Sequence, residues 1–154
     1  LELYLVEKYN FRGDALEKNT LKGEIAGVRI DCITHAYPFV KEISVREGIR
    51  LYDMEDIIAM KLAAVSDNGT RLKDFIDIAF LSTRFSFTEM LDAYELKFKN
   101  ANKIRPIKGL AFYEDINFNE PILLLNKKYE WKKIQKRLQE MIKIPDKTFQ
   151  EDPL

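Results

Sequence analysis

Between Ile57 and Val65 every side chain is apolar except Lys61, a run that fits a helix buried around most of its circumference. In such a helix Lys61 has Ile57, Ile58, Ala64 and Val65 as its i±3 and i±4 neighbours. An ammonium group among these side chains costs several kcal/mol unless it reaches water, a carboxylate or an anionic ligand. Two readings stay open: the lysine snorkels at the edge of the apolar stripe, or it serves a site.

The break "SDNGT" is followed by "RLKDFID". In a helix Asp74 and Asp77 are i,i+3 and share a face, while Leu72, Phe75, Ile76 and Ala79 supply the buried side. Helices joined by a short Gly-containing turn usually pack antiparallel, so Lys61 and the two carboxylates can converge. The competing arrangement is a surface ladder of Lys73 with Asp77 and Arg71 with Asp74, worth a few tenths of a kcal/mol per pair.

The rest of the chain falls into an α+β pattern. Residues 1–9 form a short helix with Leu1, Leu5, Tyr4 and Tyr9 on one side. Gly punctuation and β-branched residues then fit antiparallel strands near 14–19, 20–26 and 28–35, with a tight turn at Ala26-Gly27. Tyr37-Pro38 ends the sheet and starts a connection to Arg50. Asp53 can cap a helix over 54–66, with Glu55 and Asp56 in its first turn. Thr70 can cap a second helix over 71–84, and Ser86 or Thr88 a third reaching about residue 99. Residues 103–126 read as a short helix followed by loop. Over 127–144, Trp131, Ile134, Leu138 and Met141 recur at spacings of three and four, giving an amphipathic helix with a basic outer face. The expected division is a sheet portion at 1–50 and a helical portion at 51–154.

The 154 residues carry 25 basic and 25 acidic side chains, so no net field draws nucleic acid to the whole molecule. The charges are nevertheless segregated: residues 1–96 carry about −5 and residues 97–154 about +5. The basic part holds Lys97, Lys99, Lys103, Arg105 and Lys108, then Lys127, Lys128, Lys132, Lys133, Lys136 and Arg137, with Tyr129 and Trp131 interleaved. Such a run is either a solvated helix face or a contact for an RNA backbone or an acidic partner. One cysteine, Cys32, excludes an intrachain disulfide and suggests a reducing, cytoplasmic setting. No apolar run approaches the ~20 residues of a membrane span.

Asp31 is a second anomaly. In "VRIDCIT" strand alternation puts Val28, Ile30 and Cys32 on one face and Arg29, Asp31 and Ile33 on the other. A carboxylate in mid-strand implies a solvated face or a ligand such as Mg²⁺, which prefers hard oxygen donors. His35 and Cys32 have no further His or Cys to build a zinc site or dyad, and structural roles are expected for both. The sequence has neither a GxxxxGK[ST] loop nor a GxGxxG turn.

"VRIDCITHAYP", followed by "GIRLYDMEDIIAMKLAAVSDNGTRLKDFIDIAFL", resembles the AbiEii/AbiGii-type nucleotidyltransferase toxins, the toxin halves of type IV toxin–antitoxin and abortive-infection systems. The resemblance covers about residues 10–100, and "LAFYEDINFNEP" with Trp131 is similar to the C-terminal portion of those proteins more loosely. It implies a polymerase β-like nucleotidyltransferase sheet completed by a helical portion, NTP as donor, Mg²⁺ as cofactor, an RNA (tRNA-like) or protein acceptor and a cognate antitoxin. By the same resemblance Asp31 is the third metal-binding carboxylate, Lys61 faces the nucleotide phosphates, and Arg71, Lys73, Asp74 and Asp77 line the same cleft. Asp31, Lys61 and Asp74 would then be catalytic, and Lys61, Arg71, Lys73 and Asp77 nucleotide-binding. Two departures accompany it. The family's Gly-rich turn with Asp-x-Asp has no counterpart in residues 1–30, so it is expected upstream of Leu1, and the chain alone is expected to be inactive. Asn68 stands where many relatives carry Arg. The alternative from another class is a non-catalytic module that binds a partner protein or RNA through its basic C-terminal helix.

Overall fold

The computed structural model describes the chain except for Asn100, residues 125–127 and the side chains of residues 15–17. It divides into two compact units, Leu1–Tyr37 and Pro38–Leu154. Small antiparallel sheets and six helices among the described residues make it α+β.

The first unit holds α1 (Glu2–Tyr9) and the strands β1 (Arg12–Glu17), β2 (Thr20–Ile25) and β3 (Val28–Ile33), in sheet order β1-β2-β3. The β2–β3 register pairs Ile25 with Val28 across Ala26 and Gly27, whose φ values are 49° and 81°. Positive φ at both central residues is the signature of a type I′ hairpin, whose twist matches that of the flanking strands. Gly23 is required for packing: a Cβ there would overlap the Arg12 carbonyl oxygen and the Phe11 ring. That close approach lets Phe11, 4 % exposed, and Leu21, 7 %, form the unit's small core. None of the α1 side chains is buried; Leu5 is half-covered and Leu1 exposed, so the expected apolar side of this helix is only weakly engaged.

The second unit opens with a feature that sequence pattern did not reveal. β4 (Ser44–Arg46) and β5 (Ile49–Leu51) form a two-stranded hairpin over Glu47-Gly48, inside the stretch expected as a plain connection. All the residues of these strands are exposed, so no alternation of apolar and polar side chains marks them. The helices α2 (Met54–Asp67), α3 (Leu72–Leu81), α4 (Phe87–Lys97), α5 (Ile104–Ala111) and α6 (Trp131–Lys143) follow.

Local chemistry accounts for the starts of α2 and α4. The Asp53 side chain accepts from Glu55 N at the start of α2. Ser86 and Glu89 form a reciprocal capping box on α4. α3 departs from expectation at both ends. Arg71, not Thr70, is its N-cap and makes no side-chain cap, while the Thr70 carbonyl instead accepts from Asn117 N at 2.8 Å. It stops at Leu81 because the Ser82 hydroxyl bonds back to the Ala79 carbonyl at 2.6 Å and residues 82–85 turn.

The core is built where the apolar stripes of these helices meet: Ile58, Leu62, Leu72, Phe75, Ile78, Met90, Leu110, Ile134 and Leu138 are almost wholly covered. Tyr113 and Trp131 pack edge-to-face at 5.5 Å, and both rings meet Phe75. α5 crosses α2 so closely that a Cβ on Gly109 would lie 2.9 Å from the Val65 carbonyl oxygen.

Two of the expected basic surface residues are inside. Lys97 is 0 % exposed and donates to Asp56 Oδ1 at 2.6 Å, with Asp56 also fully covered. Asp56 accepts further bonds from Val40 N and Lys41 N, and Lys97 donates to the Pro38 carbonyl, so the pair fastens residues 38–41 to α2 and α4. The rings of Phe39 and Tyr52 flank the ammonium at 5.9 and 5.5 Å. Burial pushes the Asp56 carboxyl up, but the Lys97 bond, the two backbone donors and the Lys97 charge together pull it below its ordinary 3.8. Arg137 is likewise buried: it donates to Ser82 Oγ and the Glu151 carbonyl and lies 4.3 Å from the centre of the Phe149 ring. The outer face of α6 is therefore basic through Lys132, Lys133 and Lys136 but not through Arg137. Lys127 lies outside the described residues.

Candidate functional site

The Gly69 turn, at φ 60°, reverses the chain so that α2 and α3 run side by side in opposite directions. That arrangement sets Lys61, in the middle of α2, against the first two turns of α3. Lys61 Nζ lies 2.7 Å from Asp74 Oδ1 and 2.6 Å from Asp77 Oδ2. The partner of the anomalous lysine within the chain is thus a pair of carboxylates, the convergence that the helix spacing allows.

The two carboxylates are unequal. Asp74 has a 3 % exposed side chain and is also approached by Arg71 Nε at 3.5 Å, whereas Asp77 is 47 % exposed. Burial pushes the Lys61 ammonium down, but the hydrogen bonds and charges of Asp74 and Asp77 outweigh it and hold the group above its ordinary 10.5. Lys61 is therefore a fixed, permanently charged donor with a quarter of its side chain open to solvent.

It opens onto a cleft of about 480 Å³ between the two helices. Lys61 and Asp77 stand at one end, Met54, Ile57, Phe80 and Leu81 form an apolar floor, and Arg84 lies one turn beyond Leu81. Clefts of this size with an apolar lining and a few placed polar groups are the usual form of small-molecule sites.

The other expected cleft residues divide. Arg71 joins the cluster through Asp74. Lys73, one residue and so about 100° round α3 from Asp74, turns instead to Glu120 at 3.1 Å. The surface ladder considered from spacing is realised only in its Arg71–Asp74 half.

Asp31 belongs to the first unit. It lies on β3 opposite Lys22 of β2, with a 46 % exposed side chain 3.7 Å from Arg29 Nε. A second cleft, about 550 Å³, is lined there by Asp31, Cys32, Thr34, Asn19 and Glu2 among others. Among the described residues no three His, Cys, Asp or Glu side chains come together as a metal-binding group. One carboxylate leaning on a guanidinium does not by itself fit a divalent cation, which requires several hard oxygen donors.

Sequence reasoning missed Arg84 and the Asp56–Lys97 pair. The signal for Arg84 is its place in the turn just after α3, three residues beyond Leu81 of the cleft.

No curated protein and no solved structure matches the chain. The family model described as nucleotidyl transferase AbiEii toxin, type IV TA system, matches residues 30–151, a span that includes Asp31, both helices of the cleft and α6. By that match the chain belongs to the AbiEii nucleotidyltransferase toxin family of type IV toxin–antitoxin systems.

Proposed function

We propose that the α2/α3 cleft is the phosphate-handling part of a nucleotidyltransferase that moves NMP from an NTP to an RNA or protein acceptor. In that reaction an acceptor hydroxyl oxygen attacks the α-phosphorus and the bond to the β-phosphate breaks. Pyrophosphate leaves with the bonding electrons, and the acceptor proton passes to solvent. Negative charge grows on the leaving group, and a preorganised cation in a poorly hydrated cleft is the element that stabilises it.

The observation that supports this reading is Lys61 itself. Two carboxylates within 2.7 Å keep it protonated and aimed, with the apolar side chains of the cleft beside it. Asp74 acts here as a positioning residue, and Arg71 neutralises its second oxygen. Asp77, half-exposed, is the member of the cluster that an incoming nucleotide meets first.

A Mg²⁺ ion would supply charge neutralisation of the triphosphate and activation of the hydroxyl. Asp31 would be its ligand from this chain, but the described residues alone do not complete a site, and no step is assigned to it. The family also implies a cognate antitoxin as partner. No helix among the described residues is long and apolar enough to cross a membrane.

The test is transfer of label from each of the four α-labelled NTPs, with Mg²⁺, to total cellular RNA and protein. It uses the complete gene product beside its Lys61→Ala variant. Label that disappears in a folded variant supports the proposal and identifies the acceptor class. Equal labelling by both proteins refutes it. No label and no NTP binding favours the interaction-module reading, in which the exposed lysines of α6 hold a partner.

A further inference from the structure

The charge balance of the cleft leaves one group unaccounted for. Lys61 and Arg71 face Asp74 and Asp77, two cations against two carboxylates, so this cluster has no net charge with which to attract an anion. A polyphosphate arriving at Lys61 also meets Asp77, whose side chain is 47 % exposed and of like sign. Lys61 can orient a bound phosphate, but its attraction for a distant one is largely cancelled. The cleft needs another cation to hold a triphosphate.

Arg84 meets that need. It lines the same cleft, is exposed, and has no carboxylate within ion-pair distance among the described residues. Its backbone is fixed by a bond from Arg84 N to the Leu81 carbonyl at 3.0 Å, in the turn that ends α3. It stands seven positions after Asp77 in the chain, with Phe80 and Leu81 of the cleft lining between them. The cleft thus offers an oriented ammonium at one end, an apolar floor and a free guanidinium at the other. A guanidinium is also suited to two-pronged hydrogen bonding with phosphate oxygens.

We infer that Arg84 is the phosphate anchor of this cleft, binding the triphosphate of the NTP while Lys61 is held in place by Asp74 and Asp77. The inference rests on the nucleotidyltransferase reading above and adds to it a specific binding residue. The ligand is taken to be a nucleoside triphosphate and not an extended nucleic-acid strand because the cleft, at about 480 Å³, has the size of a single small-molecule site.

The experiment measures equilibrium binding of ATP, GTP, CTP and UTP, their monophosphates, and a labelled 20-nucleotide mixed-sequence RNA. It compares the complete gene product with Arg84→Ala and Arg84→Lys. Arg84→Ala is expected to weaken binding of the preferred NTP about tenfold or more and to abolish its advantage over the monophosphate. Arg84→Lys restores part of the loss, because it returns the charge without the two-pronged geometry. Melting temperatures should stay together, since Arg84 makes no ion pair that folding depends on.

Unchanged NTP affinity in Arg84→Ala overturns the inference, whether or not RNA binding changes. Loss of RNA binding alone would make Arg84 an acceptor contact. The two levels of the argument separate cleanly. If wild type transfers label and Lys61→Ala does not, yet Arg84→Ala binds NTP normally, only the anchor is refuted. If wild type neither binds NTP nor transfers label, the nucleotidyltransferase reading fails and the anchor with it.

Discussion

Replacing Lys97 by Met removes the cation from a buried pair without changing the length of the side chain much. In the wild type Lys97 and Asp56 are both 0 % exposed, and their 2.6 Å contact is the centre of a network that includes Val40 N, Lys41 N and the Pro38 carbonyl. The variant leaves the Asp56 carboxylate with its two backbone donors but no counter-charge, in a place water does not reach. Breaking a buried pair by removing one partner costs about 3–5 kcal/mol, which for a unit of this size lowers the melting temperature by roughly 10–20 °C. The pH dependence gives a second, sharper readout. In the wild type the Asp56 carboxyl lies below its ordinary 3.8, so its contribution is present above that pH and is lost as pH falls through the lower folded value. Without Lys97, burial pushes the same carboxyl up. The variant can then relieve its strain by taking up a proton, and its deficit relative to wild type should narrow as pH falls from 7 toward 4. Thermal unfolding followed by circular dichroism across that range measures both effects. A deficit under about 1 kcal/mol, the value of an exposed pair, or one that does not depend on pH, would refute the claim that this pair is buried and charged.

Other substitutions probe separate parts of the structure. Ser86→Ala removes the oxygen that bonds Glu89 N and should cost about 1 kcal/mol in thermal unfolding. Gly109→Ala improves helix propensity by about 1 kcal/mol but places a Cβ 2.9 Å from a backbone oxygen of Val65. Net destabilisation is therefore expected, and Val65→Ala should not rescue it, because the obstructing atom is backbone. Tyr113→Phe deletes a buried hydroxyl that has no hydrogen-bond partner among the described residues and whose burial pushes its pKa up to about 12. It should leave stability unchanged or raise it by about 1 kcal/mol in denaturant unfolding. The Lys61 ammonium is held above 10.5, so the stability it brings is complete below that pH and is lost as pH rises through the higher folded value. Asp77→Asn should shrink this alkaline loss in a pH titration of melting temperature.

The cleft was readable in advance because its parts carry short-range signals. Lys61 violates an otherwise apolar stripe, Asp74 and Asp77 share a face at i,i+3, and a glycine turn dictates that the two helices lie antiparallel. Each step uses periodicity within one helix or the geometry of one turn. The β4–β5 hairpin failed for the opposite reason: with every residue exposed, burial imposes no alternation, and only Glu47-Gly48 hints at a turn.

The Asp56–Lys97 pair shows what lies between these cases. Asp56 shares a helical stripe with Ala59 and Ala63, and Lys97 one with Met90, Ala93 and Tyr94, so each is a charge on an apolar face just as Lys61 is. Asp56 nevertheless also fits a first-turn acid that favours the helix dipole, and Lys97 the start of a basic surface. Both readings are satisfied locally, which concealed the anomaly. What local pattern cannot supply is that two such misplaced charges of opposite sign, 41 residues apart, answer each other. Because burial of either one alone would cost several kcal/mol, the presence of one on an apolar stripe demands the other. Lys97 on its apolar stripe needs a partner for the same reason as Lys61. How each need is met also explains why the two sites differ in character. The inner pair is wholly covered, with both carboxylate oxygens and the ammonium tied by hydrogen bonds to residues 38–41, and it holds structure together. The Lys61 cluster leaves Asp77 half-exposed beside an open cleft, and only a cluster with an uncovered member can exchange a partner for a ligand.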